Sequence, residues 1–161
     1  MLFKCYTVLT DSVIRNTIYT EKGKPMTTAI EQKLAQDPAR TSSAALRTFF
    51  NIAGDWDLNS EQAMTLLGFD ARTRSTYFKW KREPESARLT KEKLERLSYI
   101  FGIYKALQIL LPKPESADHW IHRPNEATPF GGQSALDRML SGNVSDLYVV
   151  RQYLDGQRGW S

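Results

Sequence analysis

The stretch Ser60–Arg82, SEQAMTLLGFDARTRSTYFKWKR, constrains the fold of this chain more than any other. Ser60 can cap a short helix that presents Ala63, Leu66 and Leu67 at helical spacing, and Gly68 stops it. A second helix follows, with Tyr77 and Trp80 turned inward. Two short helices in that order are a helix-turn-helix. The remaining faces of the second helix carry Arg72, Thr73, Arg74, Ser75, Thr76, Lys79, Lys81 and Arg82.

Charge sharpens the expectation. Between Asp70 and Arg82 five Lys or Arg residues stand against one Asp, so the window carries +4, the net charge of all 161 residues. The rest of the chain sums to zero. Cations gathered on one helix suit phosphate binding, because each neutralised phosphate releases counterions. A basic helix can also be no more than a solvated face. The capped helix and glycine turn before it favour a duplex-reading role for these eight residues.

At this length the chain can form one compact domain or two small ones, and 41% hydrophobic with 25% charged residues is ordinary for a globular protein. A pI near 9.2 suggests an acidic partner such as nucleic acid. Cys5 is the single cysteine, which rules out an internal disulfide and fits a reducing cytoplasm. Lys4 interrupts the apolar start, so no export signal is expected, and no segment reaches the roughly 20 apolar residues of a membrane span.

Residues 1–25 show no period and read as a tail. Met26 opens a more typical start, MTTAIEQKLAQDPA, and is a candidate initiation site. Thr41, Ser42 and Ser43 offer caps for a helix over about 44–53, whose Leu46, Phe49, Phe50 and Ala53 form an apolar stripe. Pro84 breaks the chain after the basic helix. Thr90 then caps the longest helix, which runs to Leu111 with Leu89 and Leu94 arranged as a hydrophobic staple, and Pro112 stops it. Its apolar surface exceeds one face, so it either lies centrally in the monomer or pairs with a second copy; the dimer is preferred, since helix-turn-helix proteins commonly bind paired half-sites. Residues 113–117 read as a linker. Beyond them four Arg and no Lys face five acidic residues, and two short helices follow: one begun by Ser134 and Asp137, the other begun by Ser145 and carrying Leu147, Val150 and Leu154 up to Gly156. About 45 residues without disulfide or metal bury too little to stand alone.

Catalytic constellations are missing from the sequence. His119 and His122 are three apart, but they are the only histidines and the cysteine is distant, so surface or capping roles are expected and no metal. No serine sits in a nucleophile elbow, and Gly131–Gly132 lacks the Lys-Ser or Lys-Thr of a phosphate loop, leaving a turn.

From His119 to Trp160 the chain resembles the toxin-binding domain of the Xre/MbcA/ParS antitoxins. That pattern has a Trp and Pro-Asn entry, a Gly before a small-residue-capped helix, a Leu-Ser-Gly turn and a closing Val-Arg-x-Tyr-Leu. Trp120, Pro124, Asn125, Gly131, Ala135, Leu136, Met139, Leu140, Gly142, Val150 and Leu154 fall on it. The resemblance implies an all-α protein, a helix-turn-helix DNA-binding domain followed by a small helical C-terminal toxin-binding domain. It implies a homodimer that holds an RES-type, NAD-degrading toxin inactive and represses its own operon on double-stranded operator DNA. No enzyme activity and no cofactor would belong to this chain. By position, Arg151, Gln157, Arg158 and Trp160, with Arg138 behind them, would cover the toxin's active-site entrance. The turn departs from the family pattern, since four residues separate Gly68 from Thr73. Either Asp70 or Thr73 can cap the basic helix. Thr73 is preferred because it sets Tyr77 and Trp80 into the core as in the family, which sends Arg74, Ser75 and Lys79 to base edges; an Asp70 cap would send Arg72 and Thr73 there instead. The expected division is tail and lead-in over 1–40, DNA binding and dimerisation over 41–116, and toxin binding over 117–161. The alternative function is a stand-alone helix-turn-helix regulator whose C-terminal segment dimerises or senses.

Overall fold

A computed structural model describes residues 38–159, and these form seven α-helices with no strand. The readings of the tail and of Met26, and that of Trp160, lie outside the described residues. Helix α1 (Pro38–Asp55) starts about a turn and a half before the expected Ala44. Thr41, Ser42 and Ser43 are therefore inside it rather than capping it, and Ser42 is buried.

Helix α2 (Ser60–Leu66) is capped one residue earlier than expected. Asn59 accepts from the Gln62 amide at 2.9 Å while the Gln62 side chain accepts from the Asn59 amide at 3.0 Å, a reciprocal capping box. Its far end is a Schellman closure: Gly68, at φ +70°, donates to Thr65 and Phe69 donates to Met64. A 3-10 turn (Ala71–Thr73) then runs into α3 (Arg74–Arg82). Phe50, Tyr77, Phe69 and Trp80 meet edge to face in sequence, with centroids 5.3–5.8 Å apart, and fasten α3 to α1 and to the turn.

Helix α4 (Lys91–Leu110) is the axis of the molecule. Thr90 caps it as expected, through the Lys93 amide. It packs on α1 on one side and on the C-terminal helices on the other, burying Leu97, Ile100, Ile103, Ala106 and Leu107. Much of the wide apolar surface that suggested a partner copy is covered from within the chain, while Ile109 stays exposed.

The expected linker is a helix. Pro114, pre-set for a first turn, opens α5 (Pro114–Trp120), and Ala117 is buried beneath it. Helix α6 (Ala135–Met139) begins at the Ser134–Asp137 capping box, as read from the sequence. Helix α7 (Val144–Arg158) begins at Asn143 instead of Ser145 and runs past Gly156. Between α5 and α6 the loop is held by the Trp120 ring stacked on Tyr153, with Phe130 edge-on to both. Gly131 and Gly132 take positive φ there and form the expected turn.

Contacts between α4 and α7 advance in the same direction along both: Arg96 meets Gly142, Tyr99 meets Tyr148, and Gly102 meets Arg151. The two helices are therefore parallel neighbours. A Cβ at Gly102 would lie 1.2 Å from the Arg151 guanidinium, so the arginine occupies the space a side chain would need. Gly102→Ala is expected to push the Arg151 guanidinium aside and to change stability by less than about 1 kcal/mol, since alanine's helix propensity offsets the displacement. In an Arg151→Ala background it becomes neutral or stabilising by up to about 1 kcal/mol, as alanine's helix propensity takes over. Denaturant melts of the four proteins in this cycle measure the coupling.

Candidate functional site

The cap of the basic helix settles which of its side chains face away from the core. Asp70 caps the 3-10 turn that leads into it: its carboxylate accepts from the Thr73 amide at 2.9 Å, while Thr73 Oγ1 accepts from the Asp70 amide at 3.0 Å. Thr73 makes no side-chain cap to α3. The Thr73 hydroxyl and amide hold the Asp70 carboxyl below its ordinary range. Thr73 stands at the N-cap position of α3, as preferred, but its hydroxyl is turned back to Asp70; Tyr77 is buried and Trp80 packs on the core. The 3-10 turn reconciles the two, because it lengthens the N-terminal end without rotating Tyr77 out.

At about 100° per residue, Ser75, Lys79 and Arg82 lie opposite Tyr77. All three are exposed, as is Arg72 in the preceding turn. Arg74 and Lys81 lie to one flank. Arg74 is ion-paired with Glu61 of α2, and its guanidinium sits 5.2 Å from the Phe78 ring centroid. Thr76 is half-buried on the other flank. The structure thus brings the predicted cations onto one surface, but it turns Arg74 aside and advances Arg72.

The turn that carries this helix is gripped from α4. Lys93 Nζ donates to the carbonyls of Leu67 and Gly68, both at 3.0 Å, and lies 3.8 Å from the Phe69 ring centroid. Burial pushes the Lys93 ammonium down from its ordinary pKa. Arg96 is buried; it pairs with Glu92 at 3.0 Å and donates to Gly142 at 2.8 Å. A Cβ at Gly68 would come 2.6 Å from Arg96 Nε. One guanidinium therefore touches both the DNA-side turn and the turn that starts α7.

A second link joins the halves at His122, whose Nε2 lies 2.8 Å from the Trp56 carbonyl. A carbonyl only accepts, so that nitrogen carries the proton. Among the described residues no three His, Cys, Asp or Glu side chains converge to hold a metal ion, and no helix is long and apolar enough to cross a membrane.

In the C-terminal half the predicted partner residues divide. Arg138 is used internally, donating to the Pro129 carbonyl and pairing with Asp146 at 3.0 Å. Arg151 lies over Gly102 and pairs with Asp155 at 2.6 Å, whose other oxygen is 3.5 Å from Arg158. Gln157 is exposed. Sequence reasoning passed over Tyr148 and Ile109, which are exposed, and over the grip of Lys93 and Arg96. For Tyr148 a signal existed: the buried stripe Leu147, Val150, Leu154 leaves it off the inward face.

Residues 106–159 match the family described as the antitoxin Xre/MbcA/ParS C-terminal toxin-binding domain, and residues 35–102 match the antitoxin Xre-like helix-turn-helix domain. The chain belongs to the Xre/MbcA/ParS antitoxin family. This antitoxin is also 50% identical over 125 residues to a relative from Sinorhizobium fredii (strain NBRC 101917 / NGR234) named uncharacterized protein y4oB, a span of 78% of this chain and 92% of the relative. The antitoxin's two matched regions meet within α4, the helix both halves share.

Asp146 fixes the start of α7. The Ser141 hydroxyl, at 2.5 Å, is the chief cause of its lowered carboxyl pKa, helped by Asn143 and Arg138. A depressed pKa lends stability that is present above the ordinary value of 3.8 and lost as pH falls through the folded value. Thermal melts from pH 6 down to about pH 3 should therefore show an acid limb that is shallower in Asp146→Asn than in the parent chain.

Proposed function

We propose that this antitoxin neutralises a cognate RES-type toxin, an NAD-degrading enzyme, and binds its own operator to repress the operon. The toxin partner follows from the matched C-terminal domain; its RES type follows from the resemblance of the His119–Trp160 stretch. The DNA reading is carried by one observation: Ser75, Lys79 and Arg82 stand exposed on the side of the recognition helix away from Tyr77, with Arg72 exposed in the turn before it. In a major groove these residues would meet base edges, and Thr73, Arg74, Thr76 and Lys81 at the flanks would meet phosphate or fix the helix ends. Paired half-sites call for a homodimer. Binding to the operator places the chain with the genome, in the cytoplasm. Its own role is to bind rather than to catalyse, so the nicotinamide chemistry belongs to the toxin. Residues 41–116 serve DNA and dimerisation, and 117–161 serve the toxin, with Arg151, Gln157, Arg158 and Trp160 nearest to it and Arg138 bracing them.

Salt-matched titrations of the promoter fragment test the DNA half. Arg72→Ala or Lys79→Ala should cost about 1–3 kcal/mol and loosen discrimination at single base positions. Arg74→Ala and Lys81→Ala should weaken all sequences alike and lower the salt slope by about 1 each. Unchanged affinity in all four would remove α3 from the interface. Co-expression with the adjacent gene product, followed by an NAD-loss assay, tests the toxin half. Deletion of residues 156–161 should release NAD loss while promoter binding persists, and retained inhibition would take the tail out of the mechanism.

A further inference from the structure

Among the described residues two large hydrophobic side chains are exposed, Ile109 at 51% and Tyr148 at 47%. Single exposed hydrophobics need no explanation, but these two share a surface. Tyr148, Arg151, Asp155 and Arg158 fall at i, i+3, i+7 and i+10 of α7 and so form one stripe. The parallel stripe of α4 is Tyr99, Gly102 and Ile109, with Ile109 two turns, about 10 Å, beyond Gly102. Tyr99 lies 5.8 Å from Tyr148 at one end, and Arg151 crosses Gly102 in the middle. The result is a ridge with an aromatic end, an aliphatic end, and two half-exposed guanidinium groups around one carboxylate between them.

From this geometry we propose that the α4–α7 ridge is the surface on which the toxin docks, with Tyr148 as its anchor. The inference rests on the antitoxin reading above. Both exposed hydrophobics lie inside residues 106–159, the span matched to a toxin-binding domain. Tyr and Arg are the side chains that dominate interface energetics when their surroundings are desolvated. Two arginines against one aspartate leave the middle of the ridge cationic, while Glu95, which accepts from the Tyr99 hydroxyl at 3.3 Å, puts a carboxylate beside its aromatic end. The toxin surface it fits is therefore an apolar recess with a carboxylate at its lip. Arg151 enters this surface already oriented by Asp155 and by the gap at Gly102, so less side-chain freedom is lost when the partner arrives.

The probe is the protein encoded beside this gene, purified and titrated against the full chain, with NAD loss as the second readout. Tyr148→Asp and Ile109→Glu should each weaken its binding by about 30-fold or more, while Tyr148→Phe and the remote surface change Lys91→Glu stay within about threefold. Melting temperature and promoter affinity should not move. Hydroxyl-radical footprinting of the unmodified chain should show Tyr148 protected when the toxin is added, a measurement independent of any variant's folding. If the parent chain binds the toxin and the Asp and Glu variants bind it equally well, the ridge is not the docking surface, although the antitoxin reading stands. If those variants instead lower the sedimentation mass of the free chain with toxin binding intact, the ridge joins two copies and the proposal is overturned. If the parent chain neither binds nor inhibits the toxin, the antitoxin reading fails, and the docking proposal with it.

Discussion

Helix α4 buries apolar side chains on more than one side. Leu97, Ile100, Ile103, Ala106 and Leu107 are each at most 1% exposed, and they point in directions that no single neighbouring helix could cover. Helix α1, with the Gly68 turn held by Lys93, covers one flank and the C-terminal helices the other. Burial on this scale, at roughly 25 cal/mol per Å² of apolar surface, is what holds a short C-terminal segment that could not close a core alone. Both matched regions of the antitoxin meet in this helix, so its apolar girth underlies DNA-side and toxin-side architecture together.

Polar chemistry then fixes how the two flanks sit. Hydrophobic contact alone is non-directional, whereas a buried guanidinium that lost its partners would leave unpaired donors in a dry setting. Arg96 satisfies that demand with Glu92 and the Gly142 carbonyl, which sets the start of α7 against one turn of α4. Arg151 does the complementary work from α7, lying in the groove that Gly102 leaves open. Lys93 closes the same system on the DNA side by drawing two carbonyls of the Gly68 turn toward α4.

Local signals were legible in the sequence wherever one residue type dictates the backbone. Gly68, Gly131 and Gly132, the Thr90 cap, the Ser134–Asp137 box and the inward Tyr77 all stand as the sequence implied. Less legible were the starts of helices with several competing caps. Thr41 to Ser43 could have capped α1, but helix continues through them, and Ser145 yields to Asn143. At the recognition helix both candidates are used, Asp70 capping the 3-10 turn and Thr73 standing at the start of α3, a reciprocal arrangement that spacing alone does not reveal. The α5 helix was hidden by its prolines, which read as a linker although a proline can open a first turn. What the sequence could not convey was pairing at a distance. Nothing in a chain of letters says that Arg96 will reach residue 142, that Arg151 will lie on residue 102, or that Glu61 will turn Arg74 aside.

The contact of Arg96 with both Gly68 and Gly142 bears on how such antitoxins diversify. A gene that exchanged its carboxy-terminal half to follow a new toxin would import a turn shaped to receive an arginine from the resident helix, and an arginine expecting a glycine beneath it. Recombination at residues 113–114 would then join halves whose hidden complementarity no longer matched. Substitutions on the outer face of α3 would leave this seam untouched, whereas any at Gly68, Arg96, Gly102, Gly142 or Arg151 would disturb the fit of the two halves.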